Sequence, residues 1–345
     1  MTAVTYRFRV KDKHAARLAR QAKAVHAVWN YCRETHEAAV RWARRWPTWH
    51  DLQKLTAGSS EALGLHSHTI QQVCQRYAQS RDQQRKPFLR WRGRRSLGWV
   101  PFNNGHVRFD GSGFVFNGIR FEAWLSRPLA SGQRFGAGSF SQDSLGRWFI
   151  NLPVELTLEP SAGTGAIGID LGLKDIAALS DGRKIEHPRW YRAIEARLAV
   201  AQRARKKRQI KRLHATAAAQ RADFLHKEST RIVREHGAVF VGNVRPSSIA
   251  KTRMAKSSLD AGWGMFKQKL EYKAIARGVL FREVNEAFST QTCSRCASVE
   301  GPQGLAGLRI RQWTCSCGAV HDRDTNSAQI IVRRGLAALE AGVAK

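Results

Sequence analysis

Six cysteines occur in the 345 residues, and four of them crowd together as Cys293-x-x-Cys296 and Cys315-x-Cys317, with eighteen residues between the pairs. Such pairs form metal knuckles, and four thiolates close a tetrahedral zinc shell. With every position taken by sulfur, none is left for a substrate, so the expected zinc is structural. His321, just downstream, is expected to be an outer partner or a nucleic-acid contact. Cys32 and Cys74 stand alone in helical contexts and read as small core residues. Carboxylates supply the other candidates. Asp170 lies inside an apolar run, AIGIDLGLKDIAAL, where a buried acid must be paired, hydrogen-bonded or metal-bound. Far downstream, HDRDTNSAQIIVRRG sets Asp324 at the start of a helix, with Asp322 placed to cap it. Glu283 and Glu286, in FREVNEAFSTQTCSRC, stand where a strand ends, immediately ahead of the first cysteine pair.

These residues need elements to hold them. Residues 3–10 alternate as a first strand, and Leu18, Ala22, Val25, Trp29 and Cys32 recur at helical spacing within a helical region from Lys13 to Trp46. A second helix runs from about His66 to Ser80. Short strands divided by DGSG, NG and glycine-rich turns follow from His106 to Leu158. With the opening strand they are expected to close a small barrel that carries the helical bundle as an insert. EPSAGTG, residues 159–165, reads as a linker. Beyond it the pattern gives strands at 166–171, 175–180 and 183–186, one long helix over about 190–236 and a strand at 238–242. A helix at 257–278, a strand at 279–285, the cysteine region and a helix at 324–343 complete the order. That alternation predicts an α/β domain on a mixed sheet.

A formal charge of +31 spread over most of the chain exceeds what solubility needs and points to a polyanion, with extended nucleic acid favoured over a merely basic or ribosome-bound surface. In RKPFLRWRGRRSLGWVPF, Arg90, Arg92, Arg94 and Arg95 interleave with Trp91, offering cations for phosphates and planes for bases. An edge strand with a solvated outer face would read the same way. Arg205, Lys206, Lys207, Arg208, Lys211 and Arg212 make a second basic run. His68, Gln71 and Gln72 on the second helix are candidate readers of duplex edges, since glutamine pairs with adenine, although an amphipathic helix carries polar residues anyway. No stretch is apolar enough to span a bilayer, and MTAVTYRFRVKDKHAARLARQ lacks a secretory core, so an intracellular protein is expected.

Four segments in the second half, IGIDLG, KSSLDAGWGMFKQKLEYKA, STQTCSRC and CSCGAVHDRDTNSA, together with RKPFLRWRGRRSLGW in the first, give the chain a specific resemblance. It resembles TnpB, the transposon-encoded RNA-guided DNA endonucleases related to type V CRISPR effectors. The resemblance implies a RuvC-type nuclease of RNase H fold over 161–292 and 318–345, with a zinc ribbon at 293–317 inserted in it. It further implies a wedge β-barrel at 1–10 and 85–160 holding a helical recognition insert at 11–84. A noncoding guide RNA would pair with double-stranded target DNA while the protein reads a short adjacent motif. A monomer in the ribonucleoprotein, in the prokaryotic cytoplasm at the nucleoid, is the expected state.

RuvC-type sites use three carboxylates to hold two magnesium ions. Asp170 matches the family's first acid and Asp324 its last, but where the middle acid usually ends the fourth strand, AVFVGNVRPSS has Gly242 and Asn243. Either the chain is a catalytically silent, RNA-guided binder that blocks transcription, or the acid has moved. In the RNase H arrangement the strand at 279–285 runs parallel beside the one ending at Gly242. Neighbouring strands are about 4.8 Å apart, within a glutamate's reach. Glu286 lies at the carboxyl end on the face of Val284, whereas Glu283 shares the opposite face with Phe281, so Glu286 is the expected replacement and Gly242 leaves it room. A CRISPR-associated effector of the same fold is a further alternative.

Overall fold

A computed structural model describes residues 3–130, 132–133, 135–155, 160–244, 255–307 and 309–342. The expected strand end at 156–158, the first linker residue and the stretch 245–254 lie outside these. Two compact units result, Ala3–Glu155 and the described chain from residue 160 onward.

In the first unit β1 (Ala3–Val10) leads into α1 (Ala15–Arg41), α2 (Trp49–Leu55), α3 (Ser60–Leu63) and α4 (Ser67–Gln84). Six strands follow: β2 (Trp99–Phe102), β3 (Val107–Phe109), β4 (Gly113–Phe116), β5 (Ile119–Trp124), β6 (Gly138–Gln142) and β7 (Trp148–Glu155). They form one antiparallel sheet in the order β2-β6-β7-β1-β5-β4-β3. Helices and sheet share a core, in which Leu18, Val25, Cys32 and Tyr77 meet Phe102, Phe116 and Phe140. Cys32 and Cys74 are both fully buried in it, their sulfurs 3.9 Å apart, as small core residues should be. Of the arginine-rich stretch 85–102 only the last four residues are strand. Helix α2, unforeseen from periodicity, begins at a capping box in which Thr48 Oγ1 accepts the Asp51 amide and Asp51 accepts that of Thr48.

The second unit is built on the sheet β10-β9-β8-β11-β12. Here β8 is Ala166–Leu171, β9 Asp175–Leu179, β10 Lys184–Glu186, β11 Ala238–Gly242 and β12 Leu280–Val284. The first three strands are mutually antiparallel, whereas β8, β11 and β12 run parallel. Parallel neighbours need helical crossovers. One is the pair α5 (Trp190–Arg203) and α6 (Lys207–Glu235), the other α7 (Ala255–Ala261) and α8 (Trp263–Ala276). Each crossover was expected as one helix. The first breaks at Ala204–Lys206, where Arg205 takes φ +50°, so that Ile194 and Leu198 on α5 and Leu213 and Ala217 on α6 enter the same core. The second breaks at Gly262, whose φ of +70° suits glycine.

Ile167, Ile169, Val239 and Val241 alternate onto the face these helices cover. The other face receives α10 (Arg323–Glu340) through close approaches at glycine. A Cβ on Gly168 would lie 2.8 Å from the Val332 nitrogen, and one on Gly335 would press into the Phe240 ring, 2.6 Å from its Cε1. The segment between β12 and α10 holds the four clustered cysteines, a short turn of helix α9 (Gly304–Gly307) and the hairpin β13 (Gln312–Thr314) and β14 (Val320–Asp322).

Candidate functional site

Asp170 near the end of β8, Gly242 at the end of β11 and Glu286 just past β12 reach the same carboxyl edge of the parallel strands. Asp324 joins them from the first turn of α10, and Asp322 caps that helix by accepting the Thr325 amide at 3.0 Å. Burial pushes the Asp170 carboxyl up to about 8, and the charges of Glu286 and Asp324 push it the same way. A hydrogen bond from Ser327 and the charge of Arg323 oppose them. Asp170 nonetheless keeps some accessible surface, so solvent species can reach it. Burial also raises Glu286, against the charge of Lys267 and a backbone hydrogen bond at Val244.

A Cβ on Gly242 would sit inside contact distance of Glu286 Oε2 and 3.2 Å from its Cδ. The glutamate carboxylate therefore occupies the volume that a side chain at position 242 would take. Glu283 is turned elsewhere, with Lys267 Nζ on α8 donating to it at 2.8 Å. Asp324 is held by Arg311 at 2.8 Å and Arg323 at 2.9 Å.

Do these residues suit a divalent cation? Glu286 Oε2 is buried without a hydrogen-bond partner among the described residues, which leaves a lone pair for a ligand. The donors are all oxygen, and the repulsion that raises Asp170 is what a hard cation relieves. The donor chemistry suits such an ion, but the three carboxylates are spread more widely than the cysteines. Among the described residues, Cys293, Cys296, Cys315 and Cys317 are the one group of metal-capable side chains whose ligand atoms fall within 4.8 Å. Their sulfurs are 3.8 Å apart between Cys293 and Cys317 and 3.5 Å between Cys296 and Cys315. A tetrahedral shell with bonds of about 2.3 Å has edges of about 3.8 Å. His321 Nε2 lies 3.0 Å from the Cys293 sulfur, and its ring packs on Trp313.

Sequence reasoning overlooked what joins the two centres. Asn326 accepts the Ser294 amide at 2.8 Å and donates to the Thr292 carbonyl at 2.7 Å, so α10 grips the first knuckle. Ser327, besides its bond to Asp170, meets Ser289 at 2.7 Å. The D-x-N-S-A motif was the available signal for both.

The basic segments divide. Arg90, Trp91, Arg94 and Arg95 are exposed, as are Arg205, Lys206, Lys207, Arg208, Lys211 and Arg212 at the α5–α6 turn. Arg92 is not free: its guanidinium lies 4.2 Å from the Trp29 ring and 5.3 Å from that of Trp99, while Asn30 bonds its backbone. His68 is also misplaced for reading DNA. It is 5% exposed and packs against His106 and His66, because its turn of α4 faces the sheet. Gln71 is exposed, and Gln72 lines a polar cavity of about 190 Å³ with Arg76, Trp99 and Asn151. Arg76 was not foreseen.

Known proteins place this architecture. One family model, described as "Probable transposase", matches residues 150–253, and another, "Cas12f1-like, TNB domain", matches 263–331. A Streptomyces pristinaespiralis protein named "Putative RNA-guided DNA endonuclease" is 33% identical over 372 residues, covering 99% of this chain and 90% of its own. InsQ of Escherichia coli K12, similarly named, is 28% identical over 231 residues, covering 58% of this chain and 56% of its own. A Cas12f1–sgRNA–target DNA complex shares the fold, with a TM-score of 0.59 at 12% identity over 93% of this chain and 83% of that one. The chain belongs to the TnpB family of RNA-guided DNA endonucleases. Among the described residues, no helix is long and apolar enough to cross a membrane.

Proposed function

We propose that this protein is an RNA-guided DNA endonuclease whose site is formed by Asp170, Glu286 and Asp324. The second unit is its RuvC-type nuclease of RNase H fold, with the four cysteines as a zinc ribbon, and the first unit is a wedge barrel with a helical recognition insert. Guide RNA lies on the exposed arginines and lysines, and its pairing with DNA selects the target. Gln72, together with Arg76, serves the short adjacent motif. The three carboxylates would hold magnesium, whose contribution when bound would be Lewis-acid activation of the attacking water and charge stabilisation at the leaving oxygen.

The protein's own contribution is placement. Asp170 and Asp324 are fixed by β8 and α10, Ser327 orients Asp170, and Asn326 couples the helix start to the cysteine knuckle. The carrying observation is the interlock of Gly242 with Glu286: the missing acid's space is filled by a carboxylate from the adjacent strand. Purified ribonucleoprotein with Mg²⁺ on a target plasmid is the test. Glu286→Gln should abolish cutting while keeping target binding, Glu283→Gln should cut normally, and the exchange Gly242→Glu with Glu286→Ala should recover activity over Glu286→Ala alone. A wild type that binds its target without cutting would establish the silent binder instead.

A further inference from the structure

Resting on that reading, we propose that Arg334 is the positioning residue that holds the relocated carboxylate in place. Glu286 lies beyond the sheet: the last ladder pair of the parallel strands is Gly242 with Val284. A ligand borne on a strand is fixed by its ladder, whereas one on an irregular stretch needs other support. Around Glu286 side chains and isolated backbone bonds supply it. Asn243 donates its amide to the Val284 carbonyl at 2.9 Å, and its Oδ1 accepts the Glu286 amide at 3.4 Å. Asn285 Oδ1 accepts the Ala287 amide at 3.0 Å, and the Ser289 amide donates to the Glu286 carbonyl at 3.0 Å.

The carbonyls on either side of Glu286 both go to one guanidinium. Arg334 Nη1 donates to the Asn285 oxygen and to the Ala287 oxygen, each at 2.8 Å. Arg334 stands on α10, the helix that carries Asp324 in its first turn and Ser327 just after it. The contact therefore references the loop-borne acid to the same rigid helix that carries Asp324 and, through Ser327, orients Asp170. An acid at position 242 would have no use for it, since β11 would hold that residue directly.

The claim is tested in the ribonucleoprotein by Mn²⁺ binding, followed by electron paramagnetic resonance, alongside plasmid cutting. Arg334→Met in the wild-type background should weaken Mn²⁺ binding at least about tenfold and cutting by a similar factor or more, with target binding unchanged. Arg334→Lys, able to reach one carbonyl, should recover part of the loss. In the Gly242→Glu, Glu286→Ala exchange, Arg334→Met should change Mn²⁺ affinity less than about twofold. Equal losses in both backgrounds, or none in the wild type, would overturn the proposal. Should the exchanged protein bind no Mn²⁺, the wild-type background decides: weakened affinity at unchanged melting temperature supports positioning, and parallel losses overturn it. Glu286→Ala separates the two readings, because normal Mn²⁺ binding and cutting there would remove the site itself, whereas a silent Arg334→Met alone removes only this step.

Discussion

Gly242→Ala isolates the interlock at the sheet edge. The added methyl would fall inside contact distance of Glu286 Oε2 and 3.2 Å from Cδ, so the carboxylate oxygen must retreat by more than about 1 Å. The retreat costs little stability, because the atom displaced is the far end of a flexible side chain. Replacing a strand glycine by alanine gains roughly 0.5 kcal/mol in return, so melting should move by no more than about 2 °C. Function should respond quite differently, since a misplacement of about 1 Å at a reacting centre costs on the order of 10²-fold. The assay is single-turnover cleavage of a target plasmid by reconstituted ribonucleoprotein, with target binding measured by gel shift on the same preparation. Loss of cutting with binding and melting intact is the expected result. Wild-type cutting by Gly242→Ala would refute the reasoning, because Glu286 would then not need the place it occupies.

Asp170, raised to about 8, holds its proton more tightly folded than unfolded, so its contribution to stability is full below the ordinary aspartate value of 3.8 and lost as pH rises through about 8. At roughly 1.4 kcal/mol per unit, discounted for residual solvent access, metal-free Asp170→Asn should melt about 5–10 °C above wild type near pH 8.5 and level with it near pH 4. Equal melting at both pH values would contradict the burial and repulsion assigned to it. Cys315→Ser, or stripping the metal with a zinc chelator, should abolish cutting through the knuckle that Asn326 holds; bound zinc by mass spectrometry and cleavage should fall together. Arg92→Ala should cost about 1–2 kcal/mol in thermal unfolding by removing the guanidinium packed against the Trp29 and Trp99 rings. Exposed Arg94→Ala should leave stability unchanged and reduce the salt dependence of RNA affinity by about one counterion.

Which parts of this were legible in the sequence follows from how local their causes are. Strands β1, β8 and β11 and the cysteine pairs depend on alternation or spacing within a few residues, and each begins or ends where those patterns do. The break at Gly262 had a signal in its glycine, whereas Ala204–Lys206 is helix-forming in composition and breaks only because two apolar faces must reach one core. Arg92 and His68 pack within the first unit for a related reason. Their types suit nucleic acid, but which way a side chain turns is decided by partners distant in the chain, Trp29 and Asn30 for one and His106 for the other. The approach of Glu286 to Gly242 could be anticipated because strand parity and spacing are near-geometric constants. Arg334 could not, because its partners are two carbonyls more than forty residues upstream.

The acids also differ in length for a reason the sheet imposes. In the proposed site Asp170 stands on the central strand β8 and Asp324 on the first turn of α10, so short side chains would suffice. An acid donated from the neighbouring strand must cross about 4.8 Å of sheet, which aspartate cannot span. A glutamate placed two residues past the ladder spans it provided the receiving strand presents no side chain, and β11 ends in Gly242. The exchange therefore requires a longer acid, a cleared position and a support for the loop to act together. Gly242 abuts the Glu286 carboxylate and Arg334 holds the carbonyls of Asn285 and Ala287 on either side of it, so on the proposed reading substituting any one of the three should change what the others accomplish.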